Sequence, residues 1–310
     1  MSQFNTPILF IIFNRLDTTK QVFPIIRQIK PARFFIAADG PRLTIPVEME
    51  KCHLVRKYVF DNIDWDCEVK TLFRNENLGC GKSVSGAIAW FFDQVERGII
   101  LEDDCVPSMS FFPYCEELLN KYNDNDFIYH IAGHNPLGKT KGKYSYYFAR
   151  IQHCWGWATW KRAWNKYSYE INGLDNFIKE KRINIFFQRN CDREYWLNIF
   201  KRMENHEIDT WDYQWTYTIL KNSGLCINPS LNLISNIGFG KDSTHTADAN
   251  SIYNNQRRYD MPIIKHPKYI TINNHTINKI NTISFGSGNW LWKKIKRNKQ
   301  RIMRLLKLYK

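Results

Sequence analysis

The hydrophobic positions of the first hundred residues fall in short unbroken runs, separated by stretches with helical spacing. Pro7-Ile-Leu-Phe-Ile-Ile-Phe13 is apolar throughout and stops at Asn14-Arg15. An apolar run of that length without alternation predicts a strand buried on both faces. Thr18 to Ile29 then carries Val22, Ile25, Ile26 and Ile29 at helical spacing. Arg33-Phe-Phe-Ile-Ala-Ala repeats the strand pattern and is stopped by Asp39-Gly40-Pro41. A charged helix is expected over 46–61, a strand near Cys67–Phe73, a glycine-containing loop over 74–83 and a helix over Val84–Glu96. Gly98-Ile-Ile-Leu101 is a further apolar strand, and it runs straight into Glu102-Asp103-Asp104.

Such alternation predicts an α/β fold with a mostly parallel sheet. Ligands of these sheets bind beyond the carboxyl ends of the strands. Arg15, Asp39, the 74–83 loop and the acidic triplet all fall there. From Phe111 the alternation loosens and tryptophans crowd in (Trp155, Trp157, Trp160, Trp164, Trp196, Trp211, Trp215). This predicts a second lobe. Residues 246–285, rich in Asn, Ile and Tyr without helical periodicity, are expected to wrap the body or form short strands. The expected division is a unit over 1–285, with lobes 1–106 and 107–285, followed by a tail over 286–310.

Composition changes this picture at two points. Eight cysteines without a C-x-x-C pair suit reduced, packed thiols in a chain of 310 residues. The 7–13 run has neither a basic leader nor a cleavage site, and it is too short to cross a bilayer. A cytoplasmic protein is expected. The net charge of +14 suggests nucleic acid until it is located. Residues 290–310 hold nine Lys and Arg and no acid, and taking those nine from +14 leaves +5 for the rest. With Trp290, Leu291, Trp292, Ile295, Ile302, Met303 and Leu305, the tail reads as a basic amphipathic helix suited to an anionic membrane surface. Peripheral attachment to the inner face of the cytoplasmic membrane is the expectation, with no nucleic acid as partner.

The candidate chemistry centres on the triplet. Three adjacent carboxylates repel one another, and a divalent cation bridging a diphosphate answers that repulsion. Extended-chain alternation puts Glu102 and Asp104 on one side and Asp103 on the other. A solvated acidic turn is the competing reading. In Asn77-Leu-Gly-Cys-Gly-Lys82, backbone N–H groups ahead of a helix, together with Lys82, suit a diphosphate. Glu76 stands where G-x-x-x-x-G-K-[ST] needs its first glycine, so a P-loop is excluded. Asp212, between Trp211 and Trp215, has apolar neighbours that raise a carboxylate toward the range of a general base. Capping of a helix over 213–221 is the alternative, and Asp209 is the reserve candidate.

The segment Ile99-Ile-Leu-Glu-Asp-Asp-Cys-Val-Pro-Ser-Met-Ser-Phe-Phe112 resembles the metal-binding segment of GT-A glycosyltransferases, particularly those similar to N-acetylglucosaminyltransferase I. There an E-D-D triplet replaces D-x-D and an x-P-x-F-F helix start follows. The resemblance runs from about residue 5 to 245. It implies a Rossmann-like nucleotide-sugar lobe and a Trp-rich acceptor lobe. Asp104 would be the ligand of Mn2+ or Mg2+, Asp103 would meet ribose or donor sugar, and Glu102 would meet the sugar or metal-bound water. Arg15 and Asp39 would hold the nucleotide. Trp157, in His153-Cys-Trp-Gly-Trp-Ala-Thr-Trp160, would lie beneath the donor sugar. His245, ending a Gly-rich stretch from Ile237, would touch phosphate or metal. Asp212 matches the base of a W-D-D-W-like segment, with Tyr213 in place of the second acid. The implied activity is inverting transfer of a hexosyl or N-acetylhexosaminyl group from a nucleotide sugar, UDP favoured, to a glycan or lipid-linked glycan. A nucleotidyltransferase acting on sugar phosphates would need a Gly-rich basic signature that Asn14-Arg15-Leu16 does not supply. A nucleic-acid-binding protein would need its charge in the body.

Overall fold

A computed structural model of the chain describes residues 3–240, 248 and 251–284. Its first half is β1 (Ile8–Ile12), α1 (Leu16–Ile29), β2 (Arg33–Ala38), α2 (Pro46–Asp61), β3 (Glu68–Phe73), α3 (Gly79–Phe92) and β4 (Arg97–Glu102). Then come β5 (Cys105–Pro107), α4 (Phe111–Lys121), β6 (Ile128–Ala132), β7 (Tyr146–Ala149), β8 (Trp157–Trp160) and the short α5 (Lys161–Trp164), α6 (Leu174–Lys179) and α7 (Ile183–Phe186). The chain continues through α8 (Asn190–Glu204), α9 (Asp212–Lys221), β9 (Leu225–Pro229), β10 (Ile234–Asn236) and α10 (Asn274–Ser284).

Eight strands form one sheet in the order β3-β2-β1-β4-β8-β6-β9-β7. The first four are parallel, as their continuous apolar runs predict. Beyond β4 the expectation of a mostly parallel sheet gives way to mixed pairing. β8 runs antiparallel to β4 and β6, β9 is parallel to β6, and β7 is antiparallel to β9. The expected 106/107 boundary therefore lies inside a continuous sheet, because β4 pairs with β8. A two-stranded ribbon of β5 and β10 follows the triplet and carries the chain back over it.

Alternation along the strands sorts the core onto two faces. Ile8, Phe10, Ile12, Phe34, Ile36 and Leu101 pack toward α1, α2 and α4. Leu9, Ile11, Phe35, Ala37 and Ile100 meet α3 and a cluster of tryptophans. Trp157 lies in that cluster, fully buried. Its ring stacks on Trp211 at 5.4 Å and on His130 at 4.8 Å, with Trp164 and Trp215 about it. Much of the tryptophan crowding is thus core.

Two expected boundaries move. The helix expected from Val84 begins at Gly79, because Asp209 accepts the N–H groups of Cys80 and Gly81 and stabilises that first turn. Within 246–285, residues 274–284 are helical. Ile277 and Ile280 bury against Tyr147 and Ala149, an i, i+3 spacing that Asn-rich composition conceals. The basic tail, 286–310, lies outside the described residues. Among the described residues no helix is long and apolar enough to cross a membrane.

Deleting the Trp157 ring leaves a large hole in a close-packed aromatic layer. Trp157→Ala is expected to lower unfolding free energy by about 3–5 kcal/mol in urea melts read by fluorescence.

Candidate active site

The carboxyl ends of β1, β2 and β4 open into a cleft of about 1050 Å3, whose walls include Arg15, Lys20, Asp39, Lys51, Glu102 and Asp103. The triplet closes β4, so burial of the strand fixes the backbone from which its side chains project. Asp103 is buried. One carboxylate oxygen pairs with the Arg15 guanidinium and the other accepts the Phe13 N–H at 3.1 Å. Arg15 also reaches Asp104 Oδ2 at 3.0 Å, and the Cys105 thiol donates to Asp104 Oδ1 at 3.3 Å. Glu102 is partly buried on the cleft wall, and among the described residues its carboxylate has no hydrogen-bond partner. The expected sidedness is present in part: Asp103 turns to Phe13, yet Arg15 bridges it to Asp104.

The electrostatics follow from one cation among three acids. Burial alone works against the Arg15 charge, but Asp103 and Asp104 outweigh it and push the guanidinium pKa up. Burial, then the charges of Asp104 and Asp103, pushes Glu102 up to about 8. Burial pushes Asp103 up to about 6 against the opposing pull of Arg15. One arginine serves three carboxyls, and the raised pKa values of Glu102 and Asp103 mark a demand for further positive charge that a divalent cation fits, since all the donors are hard carboxylate oxygens. Among the described residues no set of three His, Cys, Asp or Glu is arranged to hold a metal. A cation here would take one or two carboxylates and complete its shell with phosphate oxygens and water, as Mg2+ commonly does. Gly238 lies directly over the site: a Cβ there would come within 1.9 Å of Asp104 Oδ2, so only glycine permits this approach.

The expected anion site is occupied by the protein's own acids. Asp39 accepts from the N–H groups of Gly40 and Leu78 and from Asn77 Nδ2, at 3.0–3.1 Å, and so holds the 74–78 loop to the end of β2. Burial pushes its pKa up, and those N–H donors oppose the shift. Asp209 accepts from Cys80 N–H at 3.1 Å and Gly81 N–H at 2.9 Å. Lys82 is exposed on α3 and does not line the cleft. Lys20 and Lys51, which sequence reading missed, do line it. Lys20 lies on α1 and Lys51 on α2, and the sequence does not show which side of either helix faces the cleft.

Asp212 begins α9 and accepts from Thr210 Oγ1. It lines a second cavity of about 220 Å3, together with Gln152, His153, Cys154, Trp155 and Tyr253 among others. Cys80 lines the first hollow and Cys154 the second. Burial raises both thiols, and the charges of Glu102 and Asp212 add to the effect on each. Trp157, expected beneath the sugar, lines neither hollow, and Trp155 stands on the wall of the second instead. Gly156, left-handed at φ +58°, breaks the alternation that would have put both rings on one face. His245 lies outside the described residues.

No family model and no curated protein matches this sequence. Solved structures share parts of the fold. HddC from Yersinia pseudotuberculosis is 12% identical with a TM-score of 0.33, covering 56% of this chain and 86% of its own. GalNAc-T7, crystallised with UDP, GalNAc and Mn2+, is 11% identical with a TM-score of 0.42, covering 74% of this chain and 43% of its own. The glycosyltransferase GlyE from Streptococcus pneumoniae TIGR4 is 11% identical with a TM-score of 0.33, covering 70% and 43%. This chain thus spans less than half the length of the last two. At TM-scores below 0.5, these likenesses decide nothing about function.

A carboxyl whose folded pKa stands above its unfolded value weakens the fold as pH climbs between the two. For Glu102 that window runs from 4.5 to about 8. Glu102→Gln is therefore expected to melt higher than the parent in metal-free buffer, by about 2 °C at neutral pH. The advantage should shrink toward pH 4.5 in differential scanning calorimetry.

Proposed function

We propose that the protein is a metal-dependent, inverting glycosyltransferase that moves a hexosyl or N-acetylhexosaminyl group from a nucleotide sugar, UDP favoured, to a hydroxyl of a glycan or lipid-linked glycan. The observation that carries this reading is the pairing of hollows. A triplet of carboxyls with one arginine among them borders a cleft of nucleotide-sugar size, and a further carboxylate, Asp212, stands in a separate cavity.

In this reading the cleft takes the donor. Arg15, Lys20 and Lys51 face its diphosphate, and Glu102 faces the transferred sugar. Asp104 would hold a divalent cation, whose charge would stabilise the departing nucleoside diphosphate. Asp212 removes the proton from the acceptor hydroxyl as that oxygen forms a bond to the anomeric carbon. The bond from that carbon to the phosphate oxygen breaks on the opposite side, and the electron pair leaves with the diphosphate. Attack opposite the leaving group inverts the anomeric centre. Asp209 is a positioning residue for the first turn of α3, since both its oxygens are engaged there. Residues 290–310 would hold the enzyme at the cytoplasmic face of a membrane, beside a lipid-borne acceptor.

Isothermal titration with UDP is expected to show binding in Mn2+ that EDTA abolishes, and Asp104→Ala should lose both this binding and the slow hydrolysis of UDP-sugars. Failure of UDP-, GDP- and dTDP-sugars alike to bind would overturn the reading. Asp212→Asn should keep UDP affinity while transfer falls by about 10²–10⁴-fold. Asp209→Asn should retain most of its transfer rate, which separates the two acids.

A further inference from the structure

Beyond the wall of the second cavity, two segments distant in sequence build one basic ridge. Residues 136–145 hold three lysines and no acid. Their loop closes on a single residue: Thr140 N–H donates to the Ser230 carbonyl at 2.8 Å, and Ser230 N–H donates to the Ser145 carbonyl at 2.8 Å. Lys141 and Lys143 are thereby held exposed at its tip. A strap over 255–268 runs alongside. Ser145 N–H donates to the Lys265 carbonyl at 2.9 Å, and Lys265 N–H donates back to Ser145 Oγ at 2.8 Å. Nearer the start of the strap, Lys139 Nζ and the Arg257 guanidinium lie 4.2 and 5.1 Å from the centre of the Tyr259 ring. Ile263, whose carbonyl accepts from Ser145 Oγ at 3.3 Å, is 70% exposed.

The other charged groups of the strap turn to the body. Arg258 donates to the Pro107 carbonyl at 2.9 Å, Asp260 stands 3.5 Å from Ser110 Oγ, and His266 Nε2 lies 2.7 Å from Glu117 Oε1. Among the described residues, none of Lys139, Lys141, Lys143, Arg257 and Lys265 forms an ion pair. The rest of the chain has little acid to offer them: residues 241–250 hold Asp242 and Asp248, and 285–310 hold none.

We propose that this ridge seats the protein on an anionic lipid surface, with Ile263 entering the boundary between headgroups and acyl chains. Cations are drawn to such a surface within about a Debye length, and an aliphatic side chain gains by leaving water there. The aliphatic residue favours lipid over nucleic acid, which rewards cations combined with free aromatic faces. The Tyr259 ring is already engaged by two cations. Like charge keeps the basic segment 290–310 from covering the ridge. Gln256, next to Arg257, donates to the carbonyl of Pro136 on the wall of the second cavity at 3.1 Å, so seating here would set that cavity beside the headgroups. The seating stands whether or not the transferase reading does.

Co-sedimentation of the full chain with mixed phosphatidylglycerol and phosphatidylcholine vesicles tests the proposal. The parent should bind, and the triple variant Lys139→Gln, Lys141→Gln, Lys143→Gln should bind about 10²-fold more weakly. Lys30→Gln, Lys57→Gln and Lys70→Gln together remove the same charge at the β3 end of the sheet and should change binding by less than about threefold. Ile263→Ser should weaken binding by about threefold or more at constant charge. These positions are exposed, so all the variants should melt with the parent. No vesicle binding by the parent, parental binding by the ridge variant, or equal weakening by both triple variants overturns the proposal. So does a ridge variant that loses binding to a duplex oligonucleotide while its vesicle binding is unchanged.

Discussion

One guanidinium holds the cleft end of the parallel sheet together. Arg15 leaves the end of β1 and bridges Asp103 and Asp104 at the end of β4, tying neighbouring strands at the point where their backbones stop pairing. Removing one partner of a buried ion pair strands the other charge, which costs far more than the pair itself contributes. The arrangement is deliberately incomplete in charge: one cation serves three acids, and Glu102 is the acid left over. The site therefore holds its shape while keeping an unmet demand for positive charge. A ligand that brings a metal satisfies that demand without rebuilding the strand ends.

The same economy governs the amides around the cleft. Helix first turns attract anions because their N–H groups lack partners within the helix. Here the protein's own Asp209 satisfies those of Cys80 and Gly81, and Asp39 satisfies that of Leu78. The cations on the cleft wall are instead side chains, Lys20 on α1 and Lys51 on α2, together with Arg15 before α1.

The parts of this architecture that local pattern determines were legible in the sequence. Parallel strands buried on both faces read as unbroken apolar runs, and β1, β2 and β4 stood out for that reason, with the acids at their ends. What local pattern misses are the consequences of distant contacts. Helix α3 starts early because of Asp209, more than a hundred residues away. Trp155 and Trp157 share a motif and differ in fate because one glycine between them adopts a left-handed conformation. The mixed half of the sheet was hidden for a related reason: β6, β7 and β8 have no helices between them to announce their direction. Lys20 and Lys51 gave no signal beyond their place on helices whose cleft-facing side was not yet known.

Trp211 sits between the two acids whose roles are most easily confused. Its ring stacks on Trp157 inside the core, while Asp209 faces the first turn of α3 and Asp212 faces the second cavity. The segment is pinned at its middle. The stacked ring thereby sets the direction of both carboxylates at once, Asp209 toward the Cys80 and Gly81 amides and Asp212 toward the second cavity, although only two residues separate them.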